Sequence, residues 1–215
     1  MAVILDELVV AKPCPPGSGC TFTWTLVSQL GVMLREVENL LGPRNREYSI
    51  LGIEFSGTVP QIWFPGNCKH IAIQLGEPAM SDSKRARFQL AHETVHLLDP
   101  VVGGTANVLE EGLATYYQLM YIHRLDPTYG TGDAKYDNAS QLASKLLTHR
   151  PDAVKTLRSV GRTISTLTAA ELRTECPALT DGEARILAQL FCTWDGRAVQ
   201  PGVGPGGPSA RGSTP

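Results

Sequence analysis

The 215-residue chain lacks most of the features that fix a protein's class at first reading. It has no surplus of charge of either sign: 19 Lys and Arg stand against 21 Asp and Glu, a formal charge of -2. A nucleic-acid backbone or an anionic bilayer is held by clustered cations that displace counterions, so neither is an expected partner. Long hydrophobic runs are missing too, and no window reaches the 18 or so apolar residues that a membrane-crossing helix needs. The first ten residues have no basic start and are interrupted by Asp6 and Glu7, so no secretory signal is read. Cytoplasm is the expected address, with leaderless export left open. Cysteine is sparse and odd in number, at 14, 20, 68, 176 and 192, which argues against a dense disulfide framework and suits a reducing compartment. No internal repeat is visible.

What remains is ordinary globular composition, 42% hydrophobic and 19% charged, at a length suited to one domain. A Pro/Gly/Ser-punctuated loop at 12–20 follows a short apolar N-terminal strand. Leu26, Leu30, Met33, Leu34, Val37, Leu40 and Leu41 then recur at helical spacing over 22–41, and Gly42-Pro43 ends the pattern. From 48 to 75 the runs YSILGIEF, VPQIWF and HIAIQL predict a meander of three short strands. Ser81 or Asp82 caps a helix running to Asp99, with Phe88, Ala91, Val95 and Leu98 as its buried stripe, and Pro100 marks the boundary. Asn107 caps a second helix over 108–125, which carries Leu109, Leu113, Tyr116, Tyr117 and Met120 on its apolar side. A polar loop at 127–138 and helical stretches at 139–149, 153–167 and 181–194 follow. The Gly/Pro-rich residues 195–215 have little to bury and are expected to be disordered.

The chemistry sits in His92-Glu93-Thr94-Val95-His96. On a helix, residues four apart lie one turn above each other, so both imidazoles can address one metal ion, and Glu93 is close enough to reach a water bound there. A catalytic zinc site takes a third protein ligand and keeps a position for water. Glu111, on the following helix with fourteen residues between it and His96, is the natural candidate; its neighbour Glu110 is rotated by about 100° around the helix and is read as a solvated acid.

The segments AHETVHLL and LEEGLATYY resemble the zinc-binding pair of the gluzincins, zincin metallopeptidases in which H-E-x-x-H is followed on a later helix by a glutamate ligand. The resemblance covers residues 88–121 and implies an α+β zincin-like domain over 1–194, with a small antiparallel or mixed sheet, an active-site helix, a glutamate helix and a helical C-terminal part from about 139. It implies Zn2+ as cofactor, His92, His96 and Glu111 as metal ligands, Glu93 as general base, and a peptide or protein as substrate. Two positions depart from the family: Glu110 stands where many relatives have Asn, and Thr115 where thermolysin-like enzymes have an Asp that orients a histidine. Asp99 or a backbone carbonyl would then have to take that role. A metzincin arrangement fails because positions 99 and 102 are Asp and Val, and Cys68 as a deformylase-like ligand lacks its setting.

An oxyanion donor is expected among Tyr116, Tyr117, Tyr121, His123, Tyr129, Tyr136 and His149, with Tyr129 and Tyr136 foremost. Residues 70–75 would form the edge strand along which a substrate aligns, and His70 itself is structural or exposed. Cys14 as a zinc-capping latency residue is the lesser reading beside a plain loop cysteine. Lys84, Arg85 and Arg87 read as solvated surface charge rather than a clamp for a substrate carboxylate. Outside the peptidase class, the same scaffold would serve as a catalytically inactive zincin-like binding module.

Overall fold

The computed structural model describes residues 7–103 and 105–197. The architecture is α+β, with one small mixed sheet and a majority of helix. Helix α1 (Leu26–Leu41) is opened by a reciprocal cap in which Thr25 accepts from the Ser28 amide and the Ser28 hydroxyl accepts from the Thr25 amide. It buries Leu26, Leu30, Met33, Val37 and Leu41, the stripe expected from the spacing. Gly42 ends it with φ 97°, a conformation open to glycine, and Pro43 follows.

Strands β1 (Ser49–Phe55), β2 (Gln61–Trp63) and β3 (His70–Leu75) are ordered β1-β3-β2. A meander would place β2 in the middle; instead β3 pairs with β1 in parallel and with β2 antiparallel. The reason lies in burial. Ile71, Ala72, Ile73 and Leu75 are covered on both faces of β3, as a central strand requires, whereas Gln61 and Trp63 are exposed on a strand of three residues. Residues 70–75 are therefore not an edge; β2 is.

Helix α2 (Ser83–His96) packs against β3 and β2 on one side and α1 on another. Asp82 caps it, accepting from the amides of Lys84 and Arg85. Its buried face is Ala86, Leu90, Ala91 and Val95; Phe88 is only half-buried and turns to the cleft described below. Truncating a fully buried leucine such as Leu90 typically costs about 2–5 kcal/mol. The helix ends at His96, three residues short of the expected stop, and Asp99 beyond it is held by Arg158.

Helix α3 (Val108–Ile122) runs antiparallel to α2: Lys84 meets Asp126 near one end and His96 meets Glu110 near the other. Asn107 caps it by accepting from the Glu110 amide, and its own amide group donates to the carbonyl of Ile164, so the helix start is anchored to the C-terminal part. Helix α4 (Ala134–His149) lies so close to α3 that a Cβ on Gly112 would stand 2.4 Å from the carbonyl oxygen of Ala139. Only glycine admits that approach.

The remaining helices are α5 (Ala153–Ser159), α6 (Ala169–Glu175) and α7 (Asp181–Ala188), with short 3-10 turns at Ile164–Thr166 and Phe191–Thr193. Here the expected boundaries need correction. The loop at 127–138 gives way to α4 at Ala134, under an Asp133 cap. The stretch 153–167 is interrupted at Gly161, φ 84°, and α6 with its Thr168–Glu171 capping box is an additional helix. Of residues 195–197, expected to be disordered, Gly196 is buried and the backbone is held: Asn138 donates to the Gly196 carbonyl and the Trp194 indole to that of Arg197. Residues 198–215 of that expected tail lie outside the described residues, as do residues 1–6 of the expected N-terminal strand; residues 7–9 are helical. No helix among the described residues is long and apolar enough to cross a membrane.

Cys14 and Cys20 form a disulfide at the neck of the 12–20 loop, while Cys68, Cys176 and Cys192 are free. Cys14 is therefore no latency thiol. The bond links residues six positions apart and closes this loop on itself.

Candidate metal centre and its cleft

Antiparallel packing of α2 on α3 brings the three expected ligands together. His92, His96 and Glu111 offer ligand atoms that all lie within 4.8 Å of one another, and they are the group of three among the described residues that could hold a metal ion. Nε2 of His92 stands 3.2 Å from Oε2 of Glu111, and Nε2 of His96 stands 3.8 Å from Oε1. Ligand atoms each about 2.1 Å from a tetrahedral ion are separated by about 3.4 Å, so both distances suit a shared ion. The donor chemistry, two imidazoles and one carboxylate, suits zinc and its neighbours among the first-row divalent ions.

One atom speaks to this fit directly. Oε2 of Glu111 is buried and has no hydrogen-bond partner, although His92 is beside it. A buried carboxylate oxygen left without a donor costs free energy, and a cation at this point would remove that cost. Glu93 adds negative charge next to the cluster: its side chain is buried, and burial pushes its carboxyl above the usual range, against the pull of His96 and His92. In His96, burial opposes the proton, yet the bond to Glu110 and the charge of Glu111 outweigh it and push the imidazole up to about 10. Burial likewise opposes ionisation of Glu111, but His92 and the charges of both imidazoles hold it down at about 2. Cation and carboxylates thus stabilise each other here even before any metal is considered.

Glu110 is the residue the sequence reading missed. It is buried, and its Oε1 lies 2.8 Å from Nδ1 of His96, which leaves Nε2 directed at the cluster. The expected orienting residue, Asp99, is instead held by two guanidinium nitrogens of Arg158 at 2.8 and 2.9 Å, so it fastens the end of α2 to α5. The available signal was the Asn107 cap: a capped first turn fixes Glu110 at its third position, on the side facing α2. Thr115 has a buried hydroxyl without a partner among the described residues.

The cluster forms the floor of an open cleft of about 1100 Å³. Its walls come from β2, the 101–106 loop, the 129–133 segment and the first turn of α4. Of the two favoured tyrosines, Tyr136 has its ring edge-on to His92 at 5.9 Å and is braced by Phe191 at 4.8 Å. Burial, with Glu111 nearby, raises its phenol to about 12, so it keeps its proton at neutral pH. Tyr129 lies farther along the wall against Phe88. The other candidates fall away: Tyr117 is buried and donates to Glu36, Tyr121 is under Arg124, Tyr116 and His123 line a different, small pocket, and His149 is exposed at the end of α4. Cys68 is on the cleft rim but does not join the three ligand residues, and His70 is half-buried at the start of β3. Family models, curated proteins and solved structures yield no match to this chain.

Proposed function

We propose that the chain is a zinc-dependent metallopeptidase that hydrolyses peptide bonds. The observation that carries this reading is the meeting of His92, His96 and Glu111 at the floor of a cleft open to an extended chain, with a buried carboxylate, Glu93, beside them. When bound, a zinc ion supplies Lewis acidity toward a carbonyl oxygen and toward water. Glu93 accepts the proton that the attacking water loses and delivers it to the departing amine. Tyr136, whose phenol remains protonated beside His92, is the donor to the developing oxyanion. Edge strand β2, with Gln61, Ile62 and Trp63 on the cleft, offers backbone groups against which a peptide lies extended.

The binding-module reading predicts a closed metal site. Structural zinc is enclosed by four protein ligands, and here no fourth described residue joins the three. The test is the Glu93→Gln chain, assayed for metal by mass spectrometry and for turnover on a proteome-derived peptide pool. Zinc content equal to wild type with turnover lost supports the assignment. Undiminished turnover in the variant overturns the role of Glu93, and a zinc-loaded wild type that cleaves nothing leaves the binding module.

A further inference from the structure

The three cations at the start of α2 have different surroundings. Lys84 is 2.7 Å from Asp126, and Arg87 donates to Gln29 and to the Ser83 carbonyl. Arg85 is exposed, lines the cleft, and its guanidinium pairs with no acid among the described residues. It stands seven positions before His92, two turns along one helix face and about 10 Å from it.

Across the cleft floor, Gln118 stands seven positions after Glu111 on the antiparallel α3, level with Arg85. It is 5% exposed and lines the same cleft, yet its carboxamide forms no hydrogen bond with any described residue. Its polar end is not among the buried atoms that lack a partner, so the carboxamide opens onto the cleft and is free to bond a group that enters there. Phe88 and Tyr129 wall this end of the cleft with aromatic rings in contact at 5.0 Å. The other acids lining the cleft are committed: Asp133 caps α4 by accepting from the Lys135 amide, Glu110 holds His96, and Glu93 and Glu111 are in the metal cluster.

We propose that Arg85 and Gln118 form a carboxylate-binding subsite at this end of the cleft, making the protein selective for peptides with an acidic group about three residues from the bond that is cut. The spacing follows from the 10 Å offset and the rise of about 3.3 Å per residue in an extended chain. A guanidinium fork and an amide N–H give a carboxylate up to three donors. The carboxylate comes from an Asp or Glu side chain or from a free peptide C-terminus. The position relative to a scissile bond rests on the peptidase reading; the binding of the carboxylate does not.

The test uses the full-length Glu93→Gln chain loaded with zinc and equilibrated with acetylated random octapeptides, one pool C-terminally amidated and one left as free acids. Retained peptides are sequenced by mass spectrometry. The expected result is enrichment of Asp and Glu over Asn and Gln by roughly tenfold in the amidated pool; preferential retention of the free-acid pool without Asp or Glu enrichment identifies the chain terminus as the source. Arg85→Ala in the same background removes the preference, Arg85→Glu turns it toward Lys and Arg, and Gln118→Leu weakens it. Equal retention of the two pools with no Asp or Glu enrichment, or a carboxylate preference that survives Arg85→Ala in chains of wild-type zinc content, overturns the subsite. Wild-type chain on the same pools separates the two readings: cleavage without acid preference overturns the subsite alone, whereas acid-selective retention without cleavage overturns the peptidase and leaves the carboxylate site standing.

Discussion

Nδ1 of His96 and Oε1 of Glu110 stand 2.8 Å apart, both side chains largely buried, so Glu110 fixes the orientation of the His96 ring in the candidate metal centre. Partners of this kind typically contribute 10–100-fold to metal affinity. Glu110→Ala is expected to weaken zinc binding by roughly that factor, read by competition with a chromophoric chelator, and Glu110→Gln, which keeps an accepting oxygen, to weaken it less. Equal affinity in Glu110→Ala and wild type would show that the ring is oriented by something else.

Gly112 sets how closely α3 approaches α4. Its missing side chain leaves room for the Ala139 carbonyl, and Gly112→Ala forces the helices apart by the depth of a methyl group. Overpacking of this order costs about 1–3 kcal/mol. Because Gly112 adjoins Glu111, the variant is expected to lose zinc affinity together with thermal stability. A Tm within error of wild type would remove the packing argument.

Arg158 has a side chain only 5% exposed, and it bonds Asp99 as well as the carbonyls of Leu41, Gly42 and Pro43. Removing one member of such a buried pair strands the other. Arg158→Ala is therefore expected to cost about 3–5 kcal/mol in denaturant unfolding. Asp99→Asn, which retains an acceptor, should cost less. A difference below about 1 kcal/mol for Arg158→Ala would mean water has replaced the guanidinium.

Glu36 predicts an acid-side effect remote from the metal. Burial raises its carboxyl, but hydrogen bonds from Arg124 and Tyr117 outweigh this and hold it below the ordinary glutamate value of 4.5. A depressed carboxylate contributes stability above its unfolded-state value and loses it as pH falls through the folded-state one. Hence Glu36→Gln should be less stable than wild type at pH 7, and the gap should shrink as pH falls below 4.5. Urea midpoints at neutral and acid pH check this, and a gap that widens on acidification contradicts it.

The sequence made the candidate metal centre legible because its information is local. His92 and His96 are four apart, Asp82 and Asn107 announce the starts of two helices, and a short connection forces those helices antiparallel. The role of Glu110 was harder to see, since a carboxylate beside a helix N-terminus is usually solvated, and only contact with α2 shows otherwise. Sheet order was misread for a related reason. Three short runs in succession suggest a meander, yet the near-continuous burial of His70–Leu75 marks a centre strand. Similarly, Arg85 is indistinguishable from Lys84 and Arg87 until their partners are placed. Tyr136 could be named as a candidate, but its position in a helix rather than a loop depended on Asp133 serving as a cap.

His96 and Glu110 are fourteen positions apart, so the centre is closed by one tight excursion of the backbone, whereas the walls above it are assembled from segments before and well after it. Closing so small a ring sacrifices little chain entropy, and contacts of low sequence separation form early. The candidate metal centre and much of the cleft wall therefore reside in separable stretches of polypeptide, and exchanging residues 59–64 or 129–132 offers a route to reshaping the cleft without rebuilding its floor.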